Sequence, residues 1–312
     1  MKKTIYSLAL SAFLLASCTQ EESLNTGEEV KVYFTANLSN GIQSRAGTST
    51  IAVDNMICAV YNQTADKILI RDTVKVENGK AEFAPSLLKN DIYNIVFWAY
   101  KAKSAEDKSS KCYDMNNLAA IKFNPTAECT NEDIEVYTFT LNNVNVTDIN
   151  PKVTLKRPLA KINVASATGA WDSVEKLGKT PTSSELTLKR CFDTYNALNR
   201  TYSSSVEGGV EHNYKLSTLA KENILFTTGE GESEIKYFLL ASGYTFGQNT
   251  VDCSIKVNDE NGQELNSFSV PNVGTDENYR TNLYSENLLT ANVKFTVNIT
   301  EGYESSNNQN IP

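Results

Sequence analysis

Along most of the chain, apolar and polar residues alternate with a period of two, punctuated by Asn, Gly, Asp and Ser. That alternation is the mark of half-buried β-strands, whose successive side chains point to opposite faces of a sheet. The clearest run lies near the C-terminus. Val293, Phe295, Val297 and Ile299 alternate there with Asn292, Lys294, Thr296 and Asn298, which predicts an antiparallel strand with one face on a core and the other in water. A second run, over 30–38, sets Val32, Phe34, Ala36 and Leu38 against Lys31, Tyr33, Thr35 and Asn37. Further strands are predicted over 55–61, 67–76, 80–83, 93–100, 135–141, 152–164, 185–189, 235–242, 251–257 and 264–270. Asn78-Gly79 and Asn261-Gly262 have the chemistry of tight turns. Helical periodicity is confined to 171–177 and a single turn over 115–120.

Many short strands with frequent turn signals predict an all-β fold built from antiparallel β-sandwiches, with few short helices. The body is too long for one ordinary sandwich, so two are expected in tandem, 30–150 and 151–302, divided at the polar stretch 142–152. Residues 18–29 are polar without apolar period and are expected to form a flexible tether. Residues 303–312 are expected to form a disordered tail.

The N-terminus departs from the strand pattern. Lys2 and Lys3 precede an apolar stretch over 5–16 that is too short to span a bilayer comfortably. It ends Leu15-Ala16-Ser17-Cys18, which resembles a bacterial lipobox: cleavage before Cys18 and diacylation of its thiol. Each buried lipid CH₂ contributes about 0.8 kcal/mol of membrane attachment. The chain is therefore expected to be anchored to a membrane through Cys18 rather than to span it. Thr19-Gln-Glu-Glu22 resembles the surface-export signal of Bacteroidetes lipoproteins and adds an expectation of exposure on the outer membrane.

Charge and composition then remove chemistry. With 29 basic against 37 acidic residues the net charge is −8. Loss of residues 1–17 leaves 27 basic residues and a charge of −10. This balance argues against a nucleic-acid partner. The one histidine, His212, stands in a polar stretch and reads as a surface residue. No multi-histidine metal centre is available, and no metal or other cofactor is expected. Cys58, Cys112, Cys129, Cys191 and Cys253 include no CxxC pair. Cys58 and Cys253 lie on strand patterns and read as small core residues. Cys112 and Cys129, in loop-like stretches with sixteen residues between them, are the best candidates for a disulfide.

Gly229-Glu-Gly231-Glu has the wrong charge for phosphate and reads as a hairpin turn. The carboxylate pairs Glu21-Glu22, Glu132-Asp133 and Asp259-Glu260 lie in loops, without calcium-loop spacing. Trp98 sits in the apolar run Ile95-Val-Phe-Trp-Ala and reads as core. Trp171 follows Gly169-Ala170 and reads as more exposed, a candidate ligand platform.

Several segments together resemble the fimbrillin-type lipoproteins of Bacteroides and Porphyromonas. They are the lipobox Leu15–Cys18, Ile95-Val-Phe-Trp-Ala-Tyr100, Leu155-Lys-Arg-Pro-Leu-Ala-Lys-Ile-Asn163, Tyr237-Phe-Leu-Leu-Ala-Ser242 and Asn278-Tyr-Arg-Thr-Asn-Leu-Tyr284, followed by Leu288-Leu-Thr and the final strand. The similarity is greatest to an uncharacterised branch. The resemblance implies two transthyretin-like sandwiches and assembly by donor-strand exchange with other fimbrillin subunits. In that mechanism a protease cuts after an arginine, the first strand leaves, and a partner's strand fills the groove. Ser44-Arg45-Ala46-Gly47 follows the 30–38 strand and makes Arg45 and Ala46 the candidate processing site; a plain loop arginine is the other reading. The tail 303–312 lacks the apolar donor strand of a stalk subunit, so either 293–299 is the donor or the chain donates nothing.

Asp72-Thr73-Val74 and Asp172-Ser173-Val174 resemble the Bacteroides O-glycosylation triplet, which marks Thr73 and Ser173. The sequence thus points to a non-enzymatic surface lipoprotein, a pilus tip or anchor component or an adhesin that meets a host or bacterial surface glycan or protein. A glycan-binding lipoprotein using Trp171 is the alternative. A hydrolase has no nameable mechanism in this inventory.

Overall fold

The structure, a computed structural model, describes residues 28–38, 53–146, 151–247, 249–290 and 296–301. It is all-β, with two short α-helices and one 3₁₀ turn among the described residues. One antiparallel sheet carries, in spatial order, Tyr137–Asn145, Ile92–Tyr100, Asn55–Tyr61 and Ile68–Lys75. Facing it is a sheet of Lys152–Leu155, Phe34–Leu38 and Lys80–Phe83, and the two enclose a core that includes Phe34, Met56, Cys58, Phe83, Phe97 and Leu155.

The opposite face of the four-stranded sheet is covered too. Ile57, Trp98 and Tyr100 pack there with Phe123, Tyr195 and Phe246. Asn55–Tyr61 is consequently buried along its whole length. Burial on both faces is why 95–99 reads as a continuous apolar run rather than an alternation. The cover is a small sheet of Tyr113–Asp114, Ile121–Phe123, Thr194–Asn196 and Thr201–Ser203, which joins residues from both halves of the chain.

The C-terminal strands form a five-stranded sheet in the order Ile224–Thr228, Ile235–Phe246, Leu159–Ala167, Tyr279–Ser285, Thr296–Glu301. Opposite lies a sheet of Val210–Leu216, Pro181–Cys191, Asn249–Asp259 and Glu264–Thr275. Their shared core includes Ile162, Leu186, Phe238, Cys253 and Leu283, with helix Thr168–Glu175 packed against it.

The structure corrects three sequence expectations. The single strand over 152–164 is two, interrupted at Lys156-Arg157-Pro158, because Pro158 has no N–H to offer a ladder. Lys152–Leu155 pairs with Phe34–Leu38, and the sheets change hands at 156–158. The turn over 115–120 is not helical; the short helix is Asn131–Ile134, capped by Thr130, whose Oγ1 accepts from Asp133 N at 3.2 Å. The final strand also faces against its pattern: Asn298 is 4% exposed and Ile299 45% exposed. Asn298 aligns with Asn282, whose Oδ1 accepts a 3.0 Å bond from Asn163, and Asn163 in turn accepts one from Ser242. A buried polar row across four strands outweighs the burial of one isoleucine.

Candidate functional site: the first strand and its groove

Residues 28–38 form an extended segment set between neighbours on both sides. Glu29–Lys31 pairs antiparallel with Ser86–Leu88. Phe34–Leu38 then runs antiparallel to Lys80–Phe83 and parallel to Lys152–Leu155, with Thr35 aligned to Lys152 and Leu38 to Leu155. The break at 32–33 has a local cause. Pro85 interrupts the neighbouring strand, lacks an N–H, and uses its carbonyl to accept from Val32 N at 3.0 Å. The far end is closed by the Asn78-Gly79 turn, where Gly79 O accepts from Leu38 N. Both turn residues have positive φ, 51° and 73°, so a two-residue hairpin of the primed type forms there.

Side chains alternate as the period requires. Val32, Phe34, Ala36 and Leu38 are buried, while Tyr33 is 53% exposed with the Lys31 ammonium 5.7 Å from its ring centre. Phe34 is the deepest contact, with its ring centre 6.0 Å from Phe83 and 5.6 Å from Phe97. Burial of Val32, Phe34 and Leu38 contributes roughly 5–9 kcal/mol. Charge adds little: the Lys89–Glu28 pair, at 3.1 Å, is solvent-exposed. Tyr93 braces the neighbouring strand, its Oη accepting from Leu88 N at 3.0 Å. If the segment is withdrawn, the ladder edges of Lys80–Phe83 and Lys152–Leu155 and an apolar floor containing Phe83, Phe97 and Val153 are uncovered together.

The remaining predicted sites disperse. Cys18, Arg45 and Ala46 lie outside the described residues. Thr73 is half-buried in Ile68–Lys75, and Ser173 is exposed on helix Thr168–Glu175, where its Oγ donates to Gly169 O at 2.8 Å. Trp171 is not an exposed platform. It is 6% exposed, edge-on to Phe238 at 5.3 Å, with Nε1 donating to Glu175 at 2.8 Å. His212 is likewise not a surface residue; it is 5% exposed. Trp98 is fully buried, as its apolar run implies.

Cys112 and Cys129 form a disulfide, with Cα atoms 6.0 Å apart. Cys58, Cys191 and Cys253 are free and buried. Burial pushes the Cys191 thiol up to about 11 and Cys253 to about 12, which suppresses the reactive thiolate. The carboxylates expected in loops sit at element ends instead, Asp133 in helix Asn131–Ile134 and Asp259 at the end of Asn249–Asp259, where they serve local structure. Asp133 accepts from Thr130 N and Oγ1, and Asp259 from the backbone of Asn261 and Gln263. Among the described residues no three His, Cys, Asp or Glu side chains gather as a metal site.

The parallel neighbour Lys152–Leu155 was not distinguishable in the sequence. It lies far from 34–38 along the chain and carries only two inward residues, Val153 and Leu155.

The fold has solved relatives. A candidate cell adhesion protein from Bacteroides ovatus superposes with a TM-score of 0.51 at 13% identity, covering 88% of this chain and 98% of that one. A candidate cell adhesion protein from Parabacteroides distasonis gives 0.52 at 11% identity, covering 90% and 99%. At this identity the likeness establishes a shared fold. No curated protein matches the chain. One family model matches, over residues 23–312, and is described as a family of unknown function (DUF6562).

Proposed function

The chain belongs to DUF6562, and from that premise we propose that it is a surface-tethered, non-enzymatic subunit of the fimbrillin kind that gives up its first strand and accepts a partner's. It acts as a tip component, an anchor or an adhesin, held on the outer membrane by lipid on Cys18. Its partners are other fimbrillin subunits and a glycan or protein on a facing surface.

One observation carries this reading. Phe34–Leu38 is paired on both sides, buries alternate side chains, and is followed by Arg45 seven residues after its end. Main-chain bonds on two sides supply affinity, and alternate pockets supply register and specificity, which are the elements of strand addition. A cut after Arg45 separates the segment covalently while leaving its groove intact. The C-terminal strand Thr296–Glu301 is paired with Tyr279–Ser285 of its own sheet, which favours a tip, an anchor or an adhesin over a stalk. The alternative platform loses its support with the burial of Trp171.

The test is digestion of the mature chain with an arginine-specific protease, followed by N-terminal sequencing and incubation with a labelled synthetic peptide of residues 28–38. A new terminus at Ala46 and uptake of the peptide in place of the cut segment are expected, and Arg45→Ala is expected to remain uncut and take up none. Complete cleavage with no uptake of the peptide would overturn strand exchange.

A further inference from the structure

A cleft of about 420 Å³ opens beside the outer strand of the N-terminal four-stranded sheet, remote in sequence from the 28–38 segment. Its floor is the sheet itself, where Ile57 and Thr73 stand opposite each other on neighbouring strands. Its wall is the 103–116 segment. The volume falls within the range of about 300–1,000 Å³ usual for small-ligand sites.

The cleft is basic on an acidic protein. Arg71, Lys103 and Lys108 line it against one carboxylate, Asp114. Among the described residues, none of these three cations makes a salt bridge. Asp114 is occupied in accepting from Asn116 N at 3.0 Å. Asp107, in the same segment, accepts from Ser109 N at 3.0 Å and Ser109 Oγ at 2.7 Å, which with Lys103 nearby holds its carboxyl below the usual range.

The geometry is also fixed in advance. The Arg71 guanidinium donates to Met115 O at 2.6 Å and Asn116 O at 3.0 Å, which ties floor to wall. Tyr100 Oη donates to Lys108 O at 2.5 Å, and the Cys112–Cys129 disulfide holds the wall's far end. A wall already ordered before binding loses less conformational entropy when a ligand arrives.

The lining also narrows the ligand class. Tyr100 and Tyr113 are 1% and 6% exposed, so neither offers a free ring face for stacking. Neutral sugars and nucleobases gain much of their binding from such faces. What remains is positive charge together with the hydroxyls of Thr73 and Ser109.

We propose that this cleft binds an acidic carbohydrate, its carboxylate or sulfate held by Arg71, Lys103 and Lys108 and its hydroxyls by the polar floor and wall. This deepens the adhesive part of the function proposed above by naming a ligand class. It is independent of strand exchange.

The experiment titrates the intact chain, uncleaved, with a hexagalacturonate, a heparin-derived hexasaccharide, sialyllactose, maltohexaose and hexaglutamate. The Lys103→Glu/Lys108→Glu variant is titrated in parallel, its fold checked by circular dichroism. Both lysines are exposed and without ion pairs, so the fold is expected to survive. At least one acidic sugar is expected to bind, more weakly as salt rises, with affinity reduced about tenfold in the variant. Maltohexaose and hexaglutamate are expected not to bind. The proposal is overturned if no acidic sugar binds, if the variant binds equally well, or if hexaglutamate or maltohexaose binds as tightly as the best acidic sugar. Arg45→Ala is expected to bind like the parent, so failure of strand exchange and failure of sugar binding are read separately.

Discussion

His212 sits opposite Leu188 on the inner side of its sheet, with the Phe123 ring edge-on at 5.1 Å and Nδ1 3.4 Å from the Tyr244 carbonyl oxygen. Burial lowers its pKa to about 4, against opposing help from that carbonyl and from Asp193. The unfolded chain keeps an ordinary value near 6.5, so between pH 6.5 and 4 it binds the proton that the folded chain refuses. Stability therefore falls as pH drops through that window, by about 3 kcal/mol from this residue. Thermal midpoints measured from pH 7 to 4 are expected to decline less steeply for His212→Gln than for the parent; parallel curves would contradict this. The burial was hidden in the sequence because Glu211 and Asn213, its neighbours, both face outward. Three polar letters in a row conceal one inward position. Trp171 shows the opposite error: after Gly169-Ala170 it reads as more exposed, but the helix turns the indole onto Phe238.

At the scale of elements, the disulfide closes a segment of two short strands and turns. Between Cys112 and Cys129 lie the two short strands Tyr113–Asp114 and Ile121–Phe123, which with Thr194–Asn196 cover the outer face of the four-stranded sheet. Closing a loop of this length in the unfolded chain is worth about 3 kcal/mol. Cys112→Ala/Cys129→Ala is expected to lower unfolding free energy in urea by about that amount, with amide exchange accelerating first over 113–123. Unchanged protection there would show that packing alone holds the segment. The longer strands were readable because each is a sustained run: Asn55–Tyr61 and Ile92–Tyr100 as continuous apolar stretches, and Phe34–Leu38 as an alternation. The covering strands were not, since two or three residues establish no period and their pairing comes from distant chain. For the same reason the inward side chains of the 28–38 segment were legible, while its parallel neighbour and the basic cleft were not.

For the whole molecule the decisive feature is the shared core. Ile57, Trp98 and Ile134 from one half pack in a cluster with Leu159, Tyr195, Tyr244 and Phe246 from the other. Arg157, 1% exposed at the crossover between sheets, lies over the Tyr137 ring at 4.7 Å and reaches Glu135 at 3.3 Å. Tandem sandwiches joined by a bare linker melt separately, whereas a common core couples them. Calorimetry is expected to show one transition with calorimetric and van't Hoff enthalpies in agreement; two resolved peaks would count against coupling.

The parallel pairing of Phe34–Leu38 with Lys152–Leu155 also sets an order in time. The first strand ends at residue 38, and its neighbour is complete only at residue 155. Contacts so distant in sequence also close slowly, because the loop between them must first be gathered. The strand made first is thus the last to find its full seat. While that seat stands half-built, the apolar floor and the ladder edge of Lys80–Phe83 face water. If a partner's strand is to enter, as the proposed function requires, which strand occupies the groove becomes a question of timing as well as of affinity.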